Sequence, residues 1–310
     1  MYKVALVIIY NHQYNQNIEI LERMYEKRFS NIYHLVPFYK DNKSNVIPVY
    51  CSSYYFQGYV AQGFKNYFNE DFEHYFFIGD DLILNPLINE SNYREHLKLE
   101  EEGCFIPRLS PLNESKVFWA ANFDAMLYDT TSPSVEVKGQ LPGYDEAYQL
   151  LKNQGVENGP LYFNQIWKNP KSFKEWRQKF SDDKTHMLRY FKNKITKKKY
   201  NLTYPLVRSY SDIFVVSSGA IKMFCHYCGV FAATKLFAEL AIPTAIAFSA
   251  KKITTERDLS LKGRALWTKK DLQVLNKYDN RLQNLLKNFP SDHLYLHPVK
   301  LSKWDTTFYE

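Results

Sequence analysis

At 310 residues, with 45% hydrophobic and 24% charged side chains, the chain has the composition of a folded protein with about two domains or one large α/β unit. That excludes a disordered chain, and no run approaches the ~18 apolar residues of a membrane span. The net charge of +7 is unevenly placed: residues 168–199 hold twelve Lys or Arg against three acids, a local excess larger than that of the whole chain.

Lys3 to Tyr10 is a continuous apolar run, as in a central strand covered on both faces. It reads as a buried strand and not as a signal peptide, being short and without a small-residue cleavage site. Ile18, Ile20, Leu21, Met24 and Tyr25 recur at helical spacing and predict a helix over Asn15 to Arg28. Asn31 to Pro37 predicts a second strand and Ser53 to Asn69 a second helix. His74 to Ile78 predicts a third strand, which runs into Gly79, Asp80 and Asp81. Such alternation predicts a right-handed parallel sheet that binds ligands at the carboxyl ends of its strands.

Beyond about residue 105 the alternation weakens. Phe105 to Ser110 and Lys116 to Phe123 are strand candidates, and Tyr144 to Asn153 a short helix. Trp167, Phe173, Trp176 and Phe180 keep one apolar face through the basic stretch. Asp212 to Ser217 predicts a strong strand. Gly219 to Leu240 predicts a long apolar helix or helix pair, closed at Ile242-Pro243-Thr244. Lys269 to Lys287 reads as a charged amphipathic helix and Leu294 to Lys303 as an extended tail. Neither repeat nor low-complexity linker interrupts the chain, so one continuous body is expected.

Two adjacent carboxylates at a strand end, Asp80 and Asp81, have little packing reason to be there, because burying charge is costly unless compensated. Mg²⁺ or Mn²⁺ carrying a diphosphate is one compensation. Capping of the next turn through its backbone amides is another. In the preceding helix, Gly58 and Gly63 beside Gln57 and Gln62 predict close packing or a ligand, since helical Gly costs about 1 kcal/mol against Ala. Glu239 interrupts an apolar helical run, where a raised pKa suits a general base. Its ordinary alternative is an ion pair with Lys235, four residues back. Asp212, at a strand start, competes for the role of base. In the tail, His293 and His297 precede Pro298 and Lys300, and imidazole suits Mn²⁺ better than Mg²⁺. Cys225 and Cys228 lack the second ligand pair of a zinc site and read as buried, inert core residues. The four cysteines have no disulfide-framework spacing, so a reducing cytoplasm is expected.

The first strand–helix–strand unit, the second helix and the apolar strand ending in Asp80-Asp81 resemble the nucleotide-sugar-dependent glycosyltransferases of the GT-A fold. The resemblance covers residues 1 to about 100 and is looser beyond. It implies an α/β, Rossmann-like, mixed but mostly parallel sheet flanked by helices. It further implies a nucleotide-sugar-binding half over residues 1–110 and a more helical acceptor-binding half over 111–310. The latter would contain a basic helical insertion at about 160–200 and a tail that returns to the metal site. By the same resemblance Asp81 holds Mn²⁺ or Mg²⁺, Asp80 reaches the ribose or the metal, and His297 completes the shell. Gly79 stands where many members carry the motif's first acid. Tyr10 and Gln62 would lie beside the nucleotide, and Glu239 or Asp212 would act as base on an acceptor hydroxyl. The implied partners are a nucleotide-sugar donor and a glycan or lipid-linked glycan acceptor of bacterial capsule or lipopolysaccharide synthesis.

The basic stretch suits an anionic membrane, which would hold a cytoplasmic enzyme at the inner face, or it is a solvated surface. A nucleotidyltransferase of similar fold is the second enzyme reading. A non-catalytic nucleic-acid or membrane binder is the third, but it needs neither the acidic pair nor a deep apolar core, so no nucleic acid is expected.

Overall fold

The structure, a computed structural model, describes residues 3–11, 14–115, 118–132, 135–168, 172, 174–175, 177–178 and 184–308. In chain order the strands are β1 Val4–Ile9, β2 Asn31–Pro37, β3 Val46–Val49, β4 His74–Gly79, β5 Ile83–Leu84, β6 Gly103–Phe105 and β7 Ser110–Pro111. They continue with β8 Leu161–Tyr162, β9 Lys199–Tyr200, β10 Val207–Arg208, β11 Ile213–Ser217, β12 Lys252–Thr254, β13 Lys262–Ala265 and β14 His293–His297. Seven of them form one sheet in the order β12-β6-β11-β4-β1-β2-β3. β1 runs parallel to β2 and β4, β2 to β3, and β6 to β12. β11 is antiparallel to both of its neighbours. The fold is therefore α/β with a mixed, mostly parallel sheet.

The apolar run of β1 explains why the sheet is covered on both faces. Ala5, Val7 and Ile9 belong to one hydrophobic core, while Val4, Leu6 and Ile8 belong to the other. Helices Gln57–Tyr67, Ser218–Ala233 and Ala238–Ser249 contribute to the first core. Helices Gln16–Tyr25 and Leu282–Lys287 contribute to the second, with the tail strand β14. Much of the aromatic content is core: Tyr10, Tyr25, Tyr59, Tyr67, Tyr75 and Tyr93 are fully buried. Their hydroxyls are satisfied inside, as where Tyr67 donates to the Val60 carbonyl at 2.8 Å.

Several expectations change. β3 intervenes before His74–Gly79, which is thus the fourth strand; exposed Pro48 disguises β3 in the sequence and fits only an edge position. β11 and β12 enter the same sheet as β1 to β4, so the sheet crosses the expected boundary at residue 110. In place of a strand over Lys116 to Phe123, a helix occupies Ala121–Met126; Lys116 and Val117 lie outside the described residues. Phe173, Trp176 and Phe180 of the basic stretch also lie outside them. The stretch Lys269 to Lys287 is broken by Asp279 and Asn280, both at positive φ. No described helix is long and apolar enough to cross a membrane.

The apolar helix pair turns on Lys235, at φ 56°. Lys235 N–H donates to Ala232 O and Leu236 N–H to Phe231 O, closing the first helix. Pro243 does not close the second helix but lies inside it. Proline has no N–H to give the carbonyl four residues back, which here is that of Glu239. That freed carbonyl accepts the Ser209 N–H at 3.1 Å instead, and Thr244 Oγ1 accepts the Val207 N–H at 3.2 Å. The segment after β10 is thereby docked against the start of the Glu239 helix.

Candidate functional site

Strand register gathers the acidic residues. Ile9 pairs with Gly79, and Ile213 with Ile78, so Asn11, Asp80, Asp81 and Asp212 emerge at one end of three adjacent strands. Gly79 N–H donates to the Asp212 carbonyl at 2.8 Å and Asp80 N–H to that of Ile9 at 2.9 Å. The tail closes the group. β14 pairs antiparallel with β5, placing Leu296 opposite Ile83, and Val299 N–H donates to the Asp81 carbonyl at 2.7 Å. This pairing delivers His297 and Lys300 to Asp81.

The two neighbouring aspartates have different fates. Asp80 turns inward and is 1% exposed. Its oxygens accept hydrogen bonds from Asn11 N at 3.2 Å and Asn17 Nδ2 at 3.4 Å. Burial, then the Asp81 charge, raises its pKa to about 7. Both oxygens are engaged by protein, tying the β1 loop and the first helix to β4, where the sequence reading expects a ribose or metal contact. Asp81 is also buried, which by itself raises its pKa, but His297 and Lys300 outweigh burial and hold it at about 2.

Asp81 Oδ1 and His297 Nε2 stand 2.9 Å apart, and Asp212 Oδ1 lies 3.7 Å from the same nitrogen. Both Asp81 Oδ1 and His297 Nε2 are buried without an aligned hydrogen-bond partner. The other ring nitrogen, Nδ1, shares a hydrogen bond with the Tyr210 hydroxyl, and the Lys300 ammonium donates to Asp81 Oδ2. A buried carboxylate oxygen and an imidazole nitrogen that face each other at 2.9 Å without good alignment are a pair of ligands that a cation could share. Among the described residues no three His, Cys, Asp or Glu side chains already stand in metal-holding geometry. With Asp81 and His297 as its protein ligands, a cation here would take phosphate and water oxygens for the rest of its shell, the habit of Mg²⁺ and Mn²⁺. Burial raises the Asp212 pKa, with His297 pulling it back and Asp81 adding to it. His293 is at the far end of β14, roughly 13 Å away along the strand, paired with Asp292.

Glu239 lines a neighbouring cavity of about 460 Å³ with Arg108, Trp119, Arg208, Tyr210 and Trp267. Desolvation, then the Asp212 charge, lifts its pKa to about 7, while Arg208 opposes the rise. The Lys235 pair does not form, because Lys235 belongs to the turn before the helix. Asp212 sits with His297 and Glu239 in the adjoining cleft, so the two competing bases occupy different places. Tyr210 joins them: its ring lies 5.4 Å from that of His297 and 6.0 Å from that of Trp267, which is 63% exposed.

Other expected site residues lie elsewhere. The Tyr10 ring is fully buried and its hydroxyl is 3.0 Å from His34 Nδ1, so it has no surface to offer a nucleotide. Gln62 brackets the backbone of Tyr50 beyond the edge strand β3, accepting its N–H at 2.7 Å. Three strand spacings, roughly 14 Å, separate β3 from β4. The helical glycines serve packing. A Cβ on Gly58 would meet Ala232 Cβ at 3.1 Å, and one on Gly63 would meet Leu35 Cδ2 at 2.5 Å. Cys225 and Cys228 are buried thiols, and burial pushes Cys225 up to about 12. Arg108, Trp119, Arg208 and Trp267 carried no signal in sequence, since they come from four separate segments that only the fold brings together.

The chain matches no protein-family model and no curated protein.

Proposed function

We propose that the protein is a metal-dependent glycosyltransferase of GT-A type, moving a sugar from a nucleoside diphosphate sugar to a glycan or lipid-linked acceptor. The observation that carries this reading is the buried oxygen and nitrogen pair, Asp81 Oδ1 and His297 Nε2, facing each other 2.9 Å apart and poorly aligned for a hydrogen bond at the carboxyl end of β4. A site of that kind lies where open α/β sheets bind ligands. Asp81 and His297 would hold Mn²⁺ or Mg²⁺, and the bound cation would supply charge neutralisation of the departing diphosphate. Lys300 adds a fixed positive charge beside the same phosphates. Asp80 anchors the loop that shapes this end of the sheet. In the adjoining cleft Glu239 accepts the proton of the acceptor hydroxyl. The hydroxyl oxygen then bonds to the anomeric carbon as the bond from that carbon to the phosphate oxygen breaks. The Glu239 pKa near 7 matches a base that must be ionised yet still take up a proton near neutral pH. Trp267 and Trp119 offer flat apolar faces for a sugar ring.

A membrane-facing acceptor is supported by the helix Lys184–Ile195 in the basic stretch, where Leu188 and Ile195 are exposed among lysines. We propose on this basis that the enzyme works at the cytoplasmic face of the inner membrane. Co-sedimentation with anionic but not neutral vesicles tests that placement.

Thermal shift with common nucleotide sugars and Mn²⁺ tests the activity class, since a ligand of the native state alone raises the melting temperature. At least one donor is expected to shift the wild type and not Asp81→Asn. Release of a nucleoside diphosphate marks glycosyl transfer, whereas pyrophosphate marks the nucleotidyltransferase alternative. No metal-dependent shift with any donor sinks the assignment.

A further inference from the structure

Arg208 is held unlike the buried arginine that this fold uses for support. Arg28, whose role is structural, forks onto backbone carbonyls: Nε on Ile88 O at 2.9 Å, and Nη2 on Asn85 O at 2.6 Å and Ile88 O at 2.7 Å. Arg208 makes no side-chain hydrogen bond among the described residues, and its Nε is buried without a partner. No described carboxylate comes within 4 Å of its guanidinium, which lies over the Trp119 ring at 5.6 Å. Arg108 shares the cavity. Its Nε is spent on Ser110 Oγ at 2.7 Å and one Nη2 contact reaches Glu114 at 3.4 Å, leaving other donors open. A half-buried guanidinium that feels Glu239 and Glu114 only at longer range, with no direct ion pair and a second arginine beside it, is costly as a structural device, and an oxyanion would relieve it. The cavity in question is the one that contains Glu239, so its occupant is the molecule whose hydroxyl Glu239 meets.

We propose that this cleft is an acidic-acceptor subsite, in which Arg208 and Arg108 receive a carboxylate or phosphate carried by the acceptor sugar. This rests on the assignment of Glu239's cleft to the acceptor. Donor phosphates have their own countercharges at Asp81, in Lys300 and the cation, on the other side of Tyr210. Trp119 fixes the Arg208 plane by cation–π contact, which orders the guanidinium before the anion arrives.

The probes are glucose, glucuronate and glucose 6-phosphate, read by the fluorescence of a protein whose Trp119 and Trp267 line the cleft. At least one of the two acidic sugars is expected to bind about tenfold or more tightly than glucose, the strength of a charge-assisted fork. A preference for glucuronate names a carboxylate and one for glucose 6-phosphate a phosphate. Arg208→Gln should abolish that preference. Arg208→Met, without ligand, should melt at or above the wild-type temperature, because it removes an unpaired buried charge; a supporting arginine would lower it. Equal binding of all three sugars, no binding, or an unchanged preference in Arg208→Gln overturns the proposal. So does displacement of the acidic sugar by a nucleoside diphosphate with Mn²⁺, which would give the arginines to the donor. These outcomes are separable from failure of the activity itself, which shows as the absence of any nucleotide-sugar shift while acidic sugars still bind.

Discussion

Replacing Glu239 by Gln removes one partly buried carboxylate while keeping its shape. No side-chain hydrogen bond to it is formed by the described residues, so little besides charge is lost. Its pKa rises from 4.5 in the open chain to about 7 in the folded protein. The unfolded chain therefore gives up its proton first as pH climbs, and stability falls from about pH 4.5 until it levels above pH 7. The gap between 4.5 and about 7, at about 1.4 kcal/mol per pH unit, comes to about 3.5 kcal/mol before discounting for the solvent that reaches the carboxylate. Glu239→Gln cannot titrate, so it should match the wild type at pH 4 and exceed it by about 2 to 3 kcal/mol at pH 8. For a chain of this size that is roughly 5 °C in melting temperature. Paired melts in urea and by heat, at half-unit pH steps, isolate the glutamate together with its coupling to Asp212, because titrations remote from it cancel in the difference. The same variant should lose transfer activity by about 10²-fold or more, and the wild-type rate should rise with pH to a plateau above pH 7. A stability gap that stays flat with pH refutes the buried-carboxylate argument. An active Gln variant refutes the base.

The other predictions concern the fold and the corner around Asp81. His74 is buried and neutral, its Nδ1 2.9 Å from the Tyr93 hydroxyl and its Nε2 3.1 Å from the Gly103 carbonyl, and burial lowers its pKa from 6.5 to about 4. Stability should therefore be full above pH 6.5 and fall by about 3 kcal/mol as pH drops toward 4; a His74→Gln variant that retains the whole acid loss would contradict this. Gly63→Ala should cost about 1 to 2 kcal/mol through overpacking on Leu35, with donor affinity unchanged. Weakened donor binding at intact stability would restore a ligand role to that glycine. Lys300→Ala should weaken nucleoside diphosphate binding about tenfold and leave acidic-sugar binding alone, as titration calorimetry of both ligands would reveal.

Local pattern was enough for the sheet's centre. The unbroken apolar runs of Val4–Ile9 and His74–Gly79 belong to strands covered on both faces, and the helical spacing from Ile18 to Tyr25 belongs to a helix packed on one of them. The candidate pair Asp81 and His297 was named from sequence, Asp81 as an acid at the end of an apolar strand and His297 as a histidine ahead of Pro298 and Lys300. Where Asp80 and Asp81 point was not legible, because opposite orientation of neighbours matters only once Asn11 and Asn17 are known to wait on one side. Pro243 shows the same limit. By local rules it ends a helix; in the fold it stays inside one, because the carbonyl it leaves free is taken by Ser209, far off in the chain. The Arg208 cleft is further still from the sequence. Its members are scattered over more than a hundred residues, and what marks them is a missing partner, a property of three-dimensional neighbours that no single segment encodes.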